Sequence, residues 1–436
     1  MSSAQSEAAT VKLHGKPVGF MRYSRGTTSF RLADGYFSEP QRPTLGQVFE
    51  EQPSRLWRQA QRVPAWFSNL LPEGRLRERL AQMYGVSPRN EFRMLMVVGT
   101  DLPGAISIEA HDEDDAGNEA GNMEILDGEA AGADDSSVVL SDDADLSDLI
   151  RFSVAGVQLK LSMLMSAGGM SIAGPGILGN RLVKFPSRHY ADIPENEFAM
   201  MTWARESGID TPPCELVAAS SLGTLPHGFE VLDDSHLFVV ERFDRAGYRH
   251  PLFEPDGMVA DRAVHIEDFN QVLDRWPDSD AKYQMSFEHL GRIISGVCCR
   301  EDFLEFVRRL TFCISIGNED AHLKNWSVWY PDRITPRLAP VYDLVSTIQY
   351  EDLSRDTGLL IGRDRRASAI DMKVMEGLAS GTSASTADVR RTVSDTLERT
   401  RAAWVEIGGD LPISASFREV LLDYQRSVPL LRPLWA

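Results

Sequence analysis

The stretch Ile316-Gly-Asn-Glu-Asp-Ala-His-Leu-Lys-Asn325-Trp-Ser, with Asp343 eighteen residues beyond Asn325 in Leu338-Ala-Pro-Val-Tyr-Asp-Leu-Val, holds the residue types that metal-dependent phosphoryl transfer needs. One carboxylate must accept the proton of an attacking hydroxyl, and Asp320 is the candidate. An amide oxygen and a second carboxylate must hold Mg²⁺ against a triphosphate, because a hard cation takes oxygen ligands. Asn325 and Asp343 supply that pair.

Three further pieces precede these in the order such chemistry requires. Leu182-Val-Lys184-Phe reads as a short buried strand whose lysine can grip nucleotide phosphates. Phe152-Ser-Val-Ala-Gly156-Val-Gln158-Leu-Lys160-Leu reads as strand, turn and strand, with small residues at the bend. Backbone N–H groups in such a bend can line phosphate oxygens. The stretch lacks the spaced glycines and Gly-Lys-Ser/Thr ending of a Walker loop. Phe238-Val-Val-Glu241-Arg-Phe243-Asp244-Arg reads as a strand entering a hinge, where backbone groups can pair with an adenine edge. The Asp-to-Asn spacing equals that of the protein-kinase catalytic loop, without its preceding His-Arg.

Taken together, these blocks resemble the HipA family of toxin Ser/Thr kinases. The resemblance rests on the loop at Phe152, Val183-Lys-Phe-Pro, Glu195-Asn-Glu-Phe-Ala-Met-Met, Val240-Glu-Arg-Phe-Asp-Arg, His265-Ile-Glu-Asp-Phe-Asn-Gln, Gly317-Asn-Glu-Asp-Ala-His-Leu-Lys-Asn and Val341-Tyr-Asp. Gly15-Lys-Pro-Val-Gly, Trp66-Phe-Ser-Asn-Leu-Leu-Pro-Glu-Gly and Val98-Gly-Thr-Asp-Leu-Pro-Gly-Ala-Ile extend it to the N-terminal region, so that it spans roughly residues 11 to 350.

The resemblance implies an α+β, protein-kinase-like fold that uses ATP and Mg²⁺. Asp320 would be the base, with Lys184 on the phosphates and Asn325 and Asp343 on the metal. Ser153, Val154, Ala155, Gly156, Gln158 and Lys160 would form the phosphate loop, and Glu241 and Phe243 would offer backbone groups to adenine. Ser153 falls where the family carries an autophosphorylated serine. A phosphate there would repel those of ATP and switch the enzyme off. A HipB-like helix-turn-helix antitoxin, and operator DNA through it, are the implied partners. An aminoacyl-tRNA synthetase, glutamyl-tRNA synthetase by family precedent, is the implied substrate. The loop departs from the family in reading Val-Gln-Leu-Lys-Leu, and Asn318-Glu319 precede Asp320 where small or apolar residues are common.

The chain's length suits two or three domains with a sizeable core. Its net charge of −19 is unevenly spread: fourteen acids, and no Lys or Arg, lie in residues 111–150, leaving −5 for the rest. High charge with little to bury reads as a linker or surface excursion, and the near-neutral remainder excludes a stand-alone DNA binder. The start has neither a basic nor an apolar segment of signal-peptide type, and no apolar run approaches the length of a bilayer span. Four cysteines without ligand spacing read as buried thiols in a reducing, cytoplasmic compartment.

These features give an expected order of a small mixed N-terminal domain (1–110), an acidic linker (111–146), a strand-rich nucleotide lobe (147–245) and a helical catalytic lobe (246–436). Helical spacing covers Leu70 to Leu80, Glu195 to a C-cap at Gly208, Phe287 to Cys299, Glu301 to Ile316 and Ala387 to Gly408. Asp320 then sits in a loop after a helix.

Several polar residues have two readings. Glu195 or Glu197 could support Lys184, or simply favour the helix dipole. His322 could shuttle a proton or be a buried, hydrogen-bonded histidine. Lys324 could neutralise the transferred phosphoryl group or face solvent. His265, Glu267, Asp268 and Gln271 read as a cap cluster or as neighbours of the cleft. Arg363-Asp-Arg-Arg366 could touch an RNA-bound substrate or be a solvated loop. Two rival functions share these motifs: a kinase for a small molecule or lipid, and a non-toxic regulatory partner of a DNA-binding antitoxin.

Overall fold

The computed structural model describes residues 7–111, 160–166, 169–172, 178–187, 190, 192–221, 235–253, 263–278, 281–350 and 356–435. The chain forms two compact units. Met1–Asn180, Asp244–Pro277 and Tyr330–Ile334 make the first; Arg181–Phe243, Asp278–Trp329 and Thr335–Ala436 make the second.

Alternating buried and exposed side chains build a five-stranded antiparallel sheet in the first unit. Its order is Trp57–Ala60, Thr27–Leu32, Lys16–Ser24, Glu7–Leu13, Ile106–Ala110. Two of its hairpins turn at His14-Gly15 and Arg25-Gly26, with all four residues at positive φ, as a two-residue loop matching strand twist requires. Phe30, Phe49, Trp57, Trp66 and Phe67 pack ring against ring in its core. The helix expected from Leu70 begins instead at Gly74 and runs to Met83, because Pro72 can neither donate to nor continue a helix from the preceding turn.

Sequence spacing assigns everything from residue 246 to the helical lobe, but Asp244–Pro277 packs in the first unit. Buried polar groups hold it there. Arg245 donates to Asp101 at 2.8 Å, to Asp244 at 2.7 Å and to the carbonyl of Leu102. Glu267 accepts from Trp66 Nε1 and the Gln47 N–H, both at 3.0 Å, and from the Tyr330 hydroxyl. Burial pushes Glu267 up to about 7 against the pull of these donors. Asp268 and Gln271 form a capping box on Phe269–Val272.

In the second unit, strand His236–Glu241 pairs antiparallel with Arg181–Lys184 on one side and Cys214–Ala218 on the other, with Phe238 opposite both Lys184 and Leu216. The helix Ile193–Glu206 starts with Pro194 in its first turn and is closed by Ser207 and Gly208, the latter at φ +80°. Helices Phe287–Val297, Arg300–Ile316, Thr386–Ile407 and Ala415–Ser427 follow, three of them capped by Ser286, Ser385 and Ser414. Trp203 joins this set: its buried ring meets Phe312, Trp404 and Trp435 at centroid distances of 5.5, 4.6 and 6.1 Å, and its Nε1–H donates to the Thr400 carbonyl at 2.9 Å.

None of the four cysteines is in a disulfide, but only Cys313 is buried; Cys214, Cys298 and Cys299 are half-buried, so the expectation of buried thiols holds for one of four. No helix among the described residues is long and apolar enough to cross a membrane.

Because Trp203 is the ring shared by three helices, Trp203→Ala should lower unfolding free energy by about 3–5 kcal/mol, the range for emptying a large aromatic site. Denaturant melts of the two proteins measure it, and an unchanged midpoint would mean that the surrounding helices hold together without this ring.

Candidate active site

Lys184 ends its strand with its side chain almost entirely buried and its ammonium 5.7 Å from the Phe238 ring centroid. An ammonium in such a place needs counter-charges. Glu197 Oε1 lies 2.5 Å from Nζ, and Asp343 Oδ1 also accepts from it. Burial opposes the charge on Lys184, yet Asp343 and Glu197 outweigh it and hold its pKa above the usual lysine value. Of the two candidate glutamates, Glu197 fills this role; Glu195 instead meets His236 Nδ1 at 2.8 Å.

The helix that delivers Glu197 also fixes the segment carrying Asp343. Asn196 is buried and makes two hydrogen bonds to Ser346: its Nδ2 donates to the Ser346 carbonyl at 2.8 Å, and the Ser346 N–H donates to its Oδ1 at 3.0 Å. Asp343 itself stands at φ +59°, a conformation that costs a non-glycine residue unless its surroundings impose it. Its carboxylate is 31% exposed.

The loop bearing Asp320 begins where helix Arg300–Ile316 stops. Gly317 closes the helix at φ +64°, and a Cβ there would lie 2.6 Å from Ile348 Cγ2. Thr347 donates both its N–H and its hydroxyl to the Gly317 carbonyl, each at 3.0 Å, and its Oγ1 accepts the Glu319 N–H at 3.0 Å. The Asp320 carbonyl accepts from the His322 N–H at 2.7 Å and from Asn325 Nδ2 at 2.9 Å. That bond is the reason for the spacing of five: the asparagine folds back to tie the loop. With its nitrogen so engaged, Asn325 has its amide oxygen as the atom suited to a hard cation.

Asp320 is 55% exposed, reachable by a substrate, and its Oδ1 accepts from the Tyr283 hydroxyl at 2.5 Å. His322 lies behind it, Nε2 4.0 Å from Asp320 Oδ1, with Nδ1 buried and unpartnered among the described residues. Burial, then the charge of Lys282, drives His322 down to about 3, with Asp343 pulling the other way and Lys324 adding to the fall. It is a neutral wall rather than a proton shuttle at ordinary pH. Lys324 is buried rather than facing solvent, and its carbonyl accepts from the Tyr342 hydroxyl at 3.0 Å.

Among the residues singled out from sequence, the structure brings together Lys184 with Asp343, and Asp320 with Asn325. Phe243 is buried, stacked on Tyr342 and edge-on to Trp329. The Glu241 N–H donates to the Pro213 carbonyl at 2.8 Å, so a nucleotide contact at Glu241 would use another group. Lys160 opens strand Lys160–Ser166 of the first unit and is buried. Ser153, Val154, Ala155, Gly156 and Gln158 lie outside the described residues. Asn196, Thr347 and Tyr283 escaped sequence reasoning; only Asn196 carried a hint, as the neighbour of Glu197. The donors for Mg²⁺, one amide and one carboxylate oxygen, have the right chemistry for that ion. No group of three or more His, Cys, Asp or Glu able to hold a metal occurs among the described residues.

Comparison with known proteins adds independent findings. A family model described as the HipA-like C-terminal domain matches residues 152–404, and one described as the HipA N-terminal domain matches residues 9–109. A Sinorhizobium fredii protein named "Putative kinase Y4dM" is 37% identical over 97% of both chains. The "Serine/threonine-protein kinase toxin HipA" of Shewanella oneidensis is 26% identical over 69% of this chain and 66% of its own length. The fold is similar to a solved structure of HipA of that organism in complex with HipB and operator DNA. The TM-score is 0.66 at 19% identity, covering 98% of this chain and 96% of the other. The architecture is accordingly a kinase-like α+β fold.

Two measurements test this electrostatic arrangement. Lys184→Met leaves Glu197 buried without its cation and should destabilise the protein by about 3–5 kcal/mol. Adding Glu197→Gln to that variant should recover most of the loss, and additive losses in a double-mutant cycle would sever the pair. For His322, the folded pKa is depressed, so the ring should stay neutral from pH 8 down to about 5. Proton NMR of the imidazole reads this directly, and a midpoint near 6.5 would contradict its burial.

Proposed function

The chain belongs to the HipA family, and from that premise we propose that it is a serine/threonine protein kinase using ATP and Mg²⁺. The observation that carries the reading is the buried ammonium of Lys184 between Glu197 and Asp343, within the same unit as the exposed Asp320. A lysine so placed exchanges one of its carboxylate contacts for nucleotide phosphate when ATP enters. Asn325 and Asp343 would hold Mg²⁺, which would supply positive charge against that building on the phosphates.

In the transfer, the substrate hydroxyl oxygen forms a bond to the γ-phosphorus as the bond to the ADP oxygen breaks, and the hydroxyl proton passes to Asp320. Little covalent chemistry falls to the protein; positioning and charge supply the rate. Phe243 and the backbone around Glu241 are the proposed contacts of the adenine, and Ser153 to Lys160 are the proposed residues for the phosphates. Autophosphorylation of Ser153 would add close to two negative charges, which would repel the phosphates of ATP and switch the enzyme off.

By family precedent the substrate is a translation component such as an aminoacyl-tRNA synthetase, whose phosphorylation arrests growth in the cytoplasm. A HipB-like antitoxin bound to operator DNA is the proposed partner, supported by the complex in which the structurally similar Shewanella protein occurs.

Labelled ATP with Mg²⁺, followed by mass spectrometry, tests the reading. The wild type should carry phosphate on Ser153, Ser153→Ala should lose that label, and Asp320→Ala should label at least about 10²-fold more slowly. Absence of label in an unphosphorylated preparation that also binds no ATP by calorimetry would overturn it.

A further inference from the structure

Asp320 presents a physical problem. Its side chain is 55% exposed, and an exposed aspartate rotates among rotamers on a picosecond-to-nanosecond scale. Proton acceptance from a hydroxyl aligned on the γ-phosphorus requires a fixed carboxylate, because small displacements cost large factors in rate. Within the loop, hydrogen bonds hold the Asp320 backbone, and Tyr283 reaches its carboxylate, its hydroxyl donating to Oδ1 at 2.5 Å.

Tyr283 is itself anchored. It ends the short 3₁₀ turn Ala281–Tyr283, and its ring stands edge-on to the buried His322 at 5.2 Å between centroids. Its carbonyl accepts from Arg365 Nη2 at 2.6 Å, while Arg365 Nη1 donates to the Gly358 carbonyl at 3.0 Å. Arg365 and Gly358 belong to the two strands of one hairpin, Asp356–Ile361 and Asp364–Arg366. That hairpin touches the catalytic loop directly: a Cβ on Gly358 would stand 2.8–3.0 Å from the backbone of Ala321, the residue between Asp320 and His322. One hairpin thus sets both the loop that carries Asp320 and the tyrosine that holds its carboxylate. Within this basic run Arg365 is the structural brace, while Arg363 and Arg366 are exposed as a solvated loop would have them.

We propose that Tyr283, braced by Arg365, is a positioning residue for the catalytic base, fixing the rotation of the Asp320 carboxylate for proton transfer. The proposal rests on the reading of Asp320 as that base. Tyr283 takes no part in bond making; it acts through Asp320. The other groups facing the pair are His322, neutral, and Lys282 beside the Tyr283 ring, with Lys324 and Asp343 acting on His322.

The test is steady-state phosphoryl transfer by wild type, Tyr283→Phe, Arg365→Met and Asp320→Ala, with ATP varied. Tyr283→Phe should lower kcat about 10- to 100-fold with KM for ATP unchanged. Arg365→Met should show the same pattern more weakly, which keeps the test decisive if one variant folds poorly. An active wild type beside a Tyr283→Phe enzyme with unaltered kcat would overturn the positioning role and leave the kinase reading intact. A wild type as inactive as Asp320→Ala would remove the base, and the positioning role with it.

Discussion

A single buried ammonium organises the second unit. Lys184 gives up water on a strand whose neighbours are apolar, and that is tolerable only with carboxylates brought to it from elsewhere in the chain. One comes from a helix nine residues further on, starting at Ile193; the other from a segment more than 150 residues away. The strand, the helix and the Asp343 segment must therefore be placed together or not at all. Asn196 strengthens the linkage by clamping Ser346, so neighbouring residues of one helix turn hold the lysine and the Asp343 segment.

This arrangement has a chemical consequence. Two negative groups on one cation leave Asp343 as the exposed, exchangeable partner and Glu197 as the buried, permanent one. The difference in exposure supports the roles proposed for them. A fully enclosed carboxylate cannot take a hydrated metal, whereas a half-exposed one at a strained backbone angle is oriented and accessible. Asp320, likewise exposed, depends on a loop tied at Gly317, Thr347 and Asn325, so that its freedom is confined to the side chain.

Much of the site was legible in the chain. Lys184, Asp320, Asn325 and Asp343 could be named because phosphoryl transfer demands few residue types and they occur in order. The helices from Phe287 and Arg300 were legible because apolar spacing and serine or glycine ends are local signals. The helix at Gly74 was misplaced by a few residues where Pro72 overrode the pattern. Residues 244 and 245 were placed with the strand-rich lobe and 246–277 with the helical one, because Arg245 and Glu267 find their partners at Asp101, Trp66 and Gln47, which no local window contains.

What the sequence by itself determined is the set of candidates: a lysine for nucleotide phosphates, a carboxylate for a base, two oxygen donors, and most of the helices and strands that bear them. These follow from residue type and short-range spacing. The tertiary structure alone decided which glutamate serves Lys184, that His322 is a neutral buried ring, and that Tyr283 and Arg365 stand behind Asp320. Each of those outcomes depends on burial and on contacts between residues far apart in the chain, and desolvation and distance are properties of the packed molecule that no residue carries alone.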